Sequence, residues 1–320
     1  MAEVLAEIVR SGFVEGHHYG TAVTLTADGD VGLSVGDPGA AFLPRSANKP
    51  LQALAMLGLG LDLEPHQLAL ACASHAGEEM HLRVVREILG GAGLSEQALG
   101  NIKGYPFDPF DSRVRDDWVR AGREPSRIGQ NCSGKHAAML ATCVTRDWQL
   151  SGYFEFDHPL QLGIKAGFER VTGEPAAVTV DGCGAPLLSV SLVGLARAFR
   201  SLALAGDGDE WKVATAIRSY PELVSGTYRD ELRLLTALPG AIGKLGAEAV
   251  YVVALADGRT AALKIDDGGD RARPVVMAAL LRSLGVDSAE VDAIGTHVLT
   301  GGGVPVGEIR AASSVGSLPM

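Results

Sequence analysis

Apolar and polar positions alternate at the start of the chain, which predicts short strands at residues 4–10, 19–27 and 31–35, the last two joined by the turn Asp28-Gly29-Asp30. From residue 46 the apolar spacing changes to three and four. That period predicts helices over Ser46–Leu59, Pro65–Ala73, Glu78–Leu89, Ser133–Arg146, Pro159–Val171, Leu187–Leu204, Asp209–Ser219 and Arg229–Leu238. Strands return at Ala249–Ala256 and Thr260–Ile265, split by Asp257-Gly258, a two-residue hairpin signal, and a helix over Pro274–Leu284 follows. The stretch from Lys103 to Ile128 is rich in Pro, Asp and Arg, shows little periodicity, and reads as a long surface loop.

An isolated hairpin is unstable in water, so the late hairpin is expected to pair with the N-terminal strands in one antiparallel sheet. The expected fold class is therefore α/β, in the sense of α+β. The sheet draws on both chain ends, helices lie on both of its sides, and the middle is mostly helical. No internal repeat and no interdomain linker stands out, so residues 1–320 read as a single domain.

The formal net charge of −10 repels phosphates, and no Lys/Arg cluster offsets it, which argues against nucleic acid as a partner. Membranes fare no better. The most apolar helical run, Ser189 to Ala205, carries Arg197 and Arg200. The first thirty residues carry Glu3, Glu7, Arg10 and Glu15 without an apolar core, so no signal peptide is read and a cytoplasmic location is expected. The four cysteines lack paired spacing, which suggests reduced thiols: core residues or metal ligands.

Only seven basic residues are lysines, against 21 arginines. Where such a chain keeps Lys, the position more often needs an amine able to lose its proton. Lys49 stands three residues after Ser46 at a helix start, the spacing a serine nucleophile needs when its base is an amine; the bland alternative is a helix cap beside a solvated lysine. Ser74 opens the polar turn Ser74-His75-Ala76-Gly77-Glu78, where ordinary capping is the competing reading. Lys264 interrupts an otherwise apolar strand. In order along the chain, these three match the S-x-x-K, S-D-N and K-T-G elements of penicillin-binding serine hydrolases, although the literal S-D-N and K-T-G are absent. By spacing alone Cys132, His136 and the distant Cys183 form a weak metal-ligand set.

The segments R-S-A-N-K-P-L-Q at 45–52, A-S-H-A-G-E at 73–78, N-C-S-G-K-H at 131–136 and D-G-C-G-A-P at 181–186 resemble the motifs of the Rhizobium-type L-asparaginase II family, in register over nearly the whole chain. The resemblance implies a β-lactamase-like fold, akin to serine β-lactamases, penicillin-binding proteins and serine glutaminases. It implies hydrolysis of L-asparagine to L-aspartate and ammonia, with Ser46 as nucleophile and Lys49 as its base. Ser74 and Lys264 would form a second Ser–Lys pair lining the same cleft. Zinc would be held by Cys132, Cys183 and, unusually, Lys135, so His136 becomes a substrate or neighbouring contact. Asp181 suits the α-ammonium of asparagine and Arg45 its α-carboxylate. Cys72 and Cys143 are left as ordinary core. A homodimer is implied by the family alone.

Two other readings stay open: a serine acyl-transfer enzyme on the same scaffold that acts on glutamine, another small amide or a peptide-like substrate, and a non-enzymatic metal or ligand sensor.

Overall fold

The computed structural model describes residues 2–108 and 111–316. The chain packs as two compact units, each assembled from separate stretches: Met1–Ala47, Val190–Leu204 and Arg233–Met320 form one, Asn48–Ser189 and Ala205–Leu232 the other.

The first unit is built on an eight-stranded antiparallel sheet. Its strands run in the order His297–Gly301, Val304–Ala311, Glu3–Arg10, Phe13–Leu25, Thr260–Ile265, Val250–Ala254 and Ile242–Gly246, with Val31–Val35 paired to Phe13–Leu25 beside this path. Thr260 opposite Leu25 and Ile265 opposite Gly20 join the late hairpin to the N-terminal strands, the pairing that the hairpin's instability demanded. Five of the six positions of Thr260–Ile265 are buried, so both faces of the sheet are covered here. The covering helices are Leu192–Leu204 and Arg273–Ser283, both packed against this strand.

Several elements differ from the sequence expectation. The stretch Leu187–Leu204 begins as strand: Pro186–Leu188 pairs with Val178–Val180 and Val190–Ser191 with Ala41–Phe42, and only then does the helix start at Leu192. The sheet also gains two C-terminal strands, His297–Gly301 and Val304–Ala311, which carry many exposed and glycine positions and so little apolar alternation. They meet at Gly302-Gly303, both at positive φ (59° and 83°), the conformation that a two-residue hairpin turn requires.

The second unit is helical. Lys49–Gly58 packs on Pro159–Thr172, Glu79–Gly91 on Ser133–Thr145, and Pro65–Ala71 on Gly208–Ser219. The stretch expected as a loop from Lys103 to Ile128 contains the helix Arg113–Arg120. Its one buried side chain is Trp118, whose indole donates to the Glu124 carbonyl at 3.2 Å, and a single apolar residue among charges leaves no period to read. Gly104 and Ser126 exchange backbone hydrogen bonds of 3.0 Å and close the base of the loop. Among the described residues, no helix is long and apolar enough to cross a membrane.

Candidate active site

Within the helical unit Lys49 is the hub. It opens the helix Lys49–Gly58, directly before Pro50, and is 1% exposed. Its Nζ donates to the Ala73 carbonyl at 2.6 Å, to the Asn131 carbonyl at 3.5 Å and to the Cys132 sulfur at 3.2 Å. Asn131 and Cys132 lead into the helix Ser133–Thr145, so one amine ties together two of the motif segments.

Cys183 reaches the same neighbourhood from the turn between the strands Val178–Val180 and Pro186–Leu188. The turn is closed by Gly184 N–H donating to the Asp181 carbonyl at 2.9 Å, while the Asp181 carboxylate takes the Gly182 N–H at 2.8 Å. The buried Lys135 Nζ donates to the Cys183 sulfur at 3.3 Å. A hydrogen bond from Cys132 lowers Cys183 to about 5 against the opposing effect of burial, with the Lys135 charge assisting. The same bond, and burial after it, raise Cys132 well above an ordinary thiol. Burial would lower Lys135, but the charges of Cys183, Cys132 and Asp181 outweigh it and raise the amine instead. Cys72 and Cys143 are buried in the core, as expected.

His136 does not complete a Cys/His/Cys metal set. Its Nδ1 lies 2.6 Å from the Tyr153 hydroxyl, and among the described residues no three His, Cys, Asp or Glu side chains are grouped to hold a metal. Its Nε2 is buried without a hydrogen-bond partner. Burial, with the Lys135 charge behind it, lowers His136 to about 3, so the ring is neutral at ordinary pH.

Ser74 is held through its backbone. Its N–H donates to the Val224 carbonyl at 3.3 Å and its carbonyl accepts from the Arg229 guanidinium. Next to it, Gly77 N–H donates to His75 Nδ1 at 3.1 Å, which fixes the proton on Nε2 and makes that nitrogen the donor to the Ser133 hydroxyl at 2.9 Å. The Ser133 hydroxyl donates onward to the Ile128 carbonyl, so this His–Ser pair supports structure and does not activate Ser133 as a nucleophile. Glu78, not Ser74, is the N-cap of Glu79–Gly91, in a capping box with His81.

The sheet unit contains Arg45, Ser46 and Lys264. Ser46 lies on the 3-10 turn Arg45–Asn48, one turn ahead of the α-helix, whose cap is Asn48. The backbone of this turn is approached closely by Gly246, where a Cβ would stand 2.4 Å from the Pro44 carbonyl and 3.0 Å from the Ala47 nitrogen. Arg45 itself has φ 51° and pairs with Glu248 at 3.7 Å. Lys264, half-buried on its strand, donates to the Glu248 carbonyl at 2.6 Å and to the Ile265 carbonyl. Burial lowers Lys264 below an ordinary lysine, opposed by Glu248, Asp266 and Asp267.

The contacts thus gather the motif residues into two sets. Lys49, Cys132, Lys135, His136, Asp181 and Cys183 share the helical unit with Ser74, while Arg45, Ser46 and Lys264 belong to the sheet unit. Three participants lie outside what the sequence motifs signalled. Arg229 is buried and holds Ser74; Tyr153 holds His136; Glu248 holds Arg45 and Lys264. An isolated Arg, Tyr or Glu far along the chain carries no local pattern. Asp108, which pairs with Arg229 at 3.0 Å, is one of several acids in the stretch Lys103–Ile128 and does not stand out there.

No curated protein sequence matches this one. Among solved structures, a protein of Bacteroides dorei DSM 17855 provisionally described as a beta-lactamase is 14% identical. The match covers 83% of this chain and 93% of that one, with a TM-score of 0.44, too low to bear on the fold described above. Family comparison is decisive: residues 6–311 match the sequence profile of L-asparaginase II, and the chain belongs to that family.

Proposed function

We propose that this chain hydrolyses L-asparagine to L-aspartate and ammonia by acyl transfer through Ser46. Family membership supports asparaginase-type amidohydrolase chemistry. The observation that carries the serine–lysine reading is the setting of Lys49: a buried amine bonded to two carbonyls and a sulfur, with no carboxylate among its hydrogen-bond partners.

In the proposed reaction Lys49, neutral at the moment of attack, takes the Ser46 proton as the hydroxyl oxygen bonds to the side-chain carboxamide carbon. The tetrahedral adduct collapses as its nitrogen takes that proton from Lys49 and leaves as ammonia, and an aspartyl ester remains on Ser46. Water then gives a proton to Lys49 and adds to the ester carbonyl. Collapse releases L-aspartate and restores the serine hydroxyl. Ser74 and Lys264 serve as the second pair, relaying protons or polarising the amide. Asp181 suits the α-ammonium and Arg45 the α-carboxylate. His136, whose buried Nε2 lacks a partner, is suited to a substrate atom.

Cys132, Cys183 and Lys135 are the proposed zinc ligands. Two buried sulfurs, one of them 3.3 Å from the buried Lys135 amine, fit a small thiophilic cation once that amine has lost its proton. When bound, zinc would supply a Lewis acid that positions and polarises substrate. A homodimer and a cytoplasmic setting belong to the same proposal.

The test is ammonia release from L-asparagine and L-glutamine by wild type, Ser46→Ala and Lys49→Ala, each with and without a chelator. Asparagine turnover lost in both variants is expected. Full activity in Ser46→Ala would sink the serine mechanism, and faster release from glutamine would move the substrate assignment to that amide.

A further inference from the structure

Five non-glycine residues among those described have positive φ: Ser11, Arg45, Asp147, Glu248 and Ala249. Three of them meet in one place. Arg45 (φ 51°) precedes Ser46, while Glu248 (62°) and Ala249 (53°) form the turn between the strands Ile242–Gly246 and Val250–Ala254. Such a turn ordinarily takes Asn or Gly, because a side chain in the left-handed region costs about 1–2 kcal/mol per residue. Non-glycine residues held there cluster where the surrounding contacts enforce them.

Those contacts involve both ends of Glu248. Its carboxylate faces the Arg45 guanidinium at 3.7 Å and packs over Gly268, where a Cβ would stand 2.4 Å from Oε2. Its carbonyl, turned by the left-handed backbone, accepts from Lys264 Nζ at 2.6 Å. Two positions earlier, Gly246 admits the Pro44–Ala47 backbone. A single hairpin turn therefore touches the backbone around Ser46, the side chain of Arg45 and the amine of Lys264.

The geometry points to Glu248 as a positioning residue of the reaction, its carboxylate holding Arg45 and its carbonyl holding Lys264; this rests on the roles given to those two residues above. Stability is not what the pair provides, since an ion pair this exposed contributes little. Its consequence is electrostatic. The charged groups facing Lys264 are Glu248, Asp266 and Asp267, which favour the ammonium, and Arg45, which opposes it. Removing the Glu248 charge leaves the carbonyl contact and tilts that balance toward the neutral amine.

The experiment compares wild type with Glu248→Gln and Glu248→Asp in two measurements: the pH profile of kcat/KM for L-asparagine, and the pH midpoint of Lys264 modification by an amine reagent, read by mass spectrometry. In Glu248→Gln, kcat/KM is expected to fall about tenfold and both the alkaline limb and the modification midpoint to move to lower pH, with Tm nearly unchanged. Glu248→Asp should recover part of each. An unmoved Lys264 midpoint overturns the proposal, whether or not activity falls. If wild type releases no ammonia from asparagine while the midpoint still moves, the positioning role stands and the asparaginase reading fails.

Discussion

Lys49 Nζ donates to the Cys132 sulfur at 3.2 Å, so the amine proposed to activate Ser46 touches a thiol proposed to hold zinc. The same amine holds the Ala73 carbonyl at 2.6 Å, one residue before Ser74. Three proposed elements of the reaction, base, metal site and second serine, are therefore linked through one side chain.

Arginine cannot take over this work. It can donate to the same carbonyls, but it does not give up a proton and its planar head fills more space. Lys49→Arg is expected to lose asparagine turnover as fully as Lys49→Ala, by about 10²–10⁴-fold in kcat, the usual range for a missing general base. Lys49→Ala also leaves the buried Ala73 carbonyl without this donor, at a cost of about 1–3 kcal/mol in folding stability. Steady-state kinetics and urea unfolding of both variants check the two effects separately. Arg-variant activity near wild type would show that Lys49 supplies charge and not a lone pair.

The buried histidines predict acid sensitivity. Burial lowers His136 to about 3 and His81 to about 4, and it also lowers His75, which stacks on His81 with 5.2 Å between ring centres. The folded values lie below the unfolded one of about 6.5, so the unfolded chain takes up protons first as pH falls. Stability is thus fully present above about pH 6.5 and is lost down to the folded values, at about 1.4 kcal/mol per pH unit for each group. The expected outcome is a steep fall in Tm between pH 7 and 5. His81→Gln should flatten it, because an amide can accept from Glu78 N–H and donate to the Glu222 carbonyl without titrating. Parallel Tm curves for the two proteins would exclude His81 as a source.

How much of this was legible depends on whether the signal was local. The pairing of chain ends followed from a hairpin, Asp257-Gly258, too small to stand alone, and Thr260 opposite Leu25 bears it out. The strand Val304–Ala311 gives little signal because only Ile309 in it is buried and Gly307 interrupts the alternation, although Gly302-Gly303 is a readable turn. In the site, Lys49, Cys132, Lys135 and Cys183 were readable because each sits in a short motif, and the contacts 49–132 and 135–183 join those motifs in space. Spacing alone points to His136 as a ligand and the family resemblance to a substrate contact; its ring is turned to Tyr153, seventeen residues on, which no local rule encodes. Arg229 reaches Ser74 across 155 residues and Glu248 reaches Lys264 across 16, and the sequence around each carries no local pattern.

Arg229 is the most consequential of the residues outside the motifs. Its guanidinium pairs with Asp108 at 3.0 Å, both side chains 2% exposed, and donates to the Phe107 and Ser74 carbonyls. Arg229→Met takes the buried counter-charge away from Asp108 and is expected to cost about 3–5 kcal/mol, a large share of an ordinary domain's stability. The paired replacement Arg229→Met with Asp108→Leu removes both charges, so most of that stability should return. Activity should not return with it, because the Ser74 carbonyl has still lost its bond from Arg229. Urea unfolding and asparagine turnover of the single and double variants test this. A double variant that recovers both would show that Arg229 has no bearing on Ser74.

Lys135 separates a metal ligand from an ion-pair partner. As an ammonium it needs only charge to hold Cys183, a thiol already drawn down to about 5 by its hydrogen bond from Cys132. As a zinc ligand it needs a lone pair, and zinc must displace its proton. Arginine keeps the charge and the donors but offers no lone pair. Lys135→Arg is therefore expected to bind no zinc after dialysis against the metal at pH 8, as is Cys183→Ala. Wild type should bind about one zinc ion per chain, losing it progressively as the dialysis is repeated toward pH 6, where protons compete for the amine and the thiols. Metal analysis of the dialysed proteins reads this without any assay of turnover. Zinc retained by Lys135→Arg at wild-type stoichiometry would leave the two cysteines as ligands and reduce Lys135 to a counter-charge for Cys183.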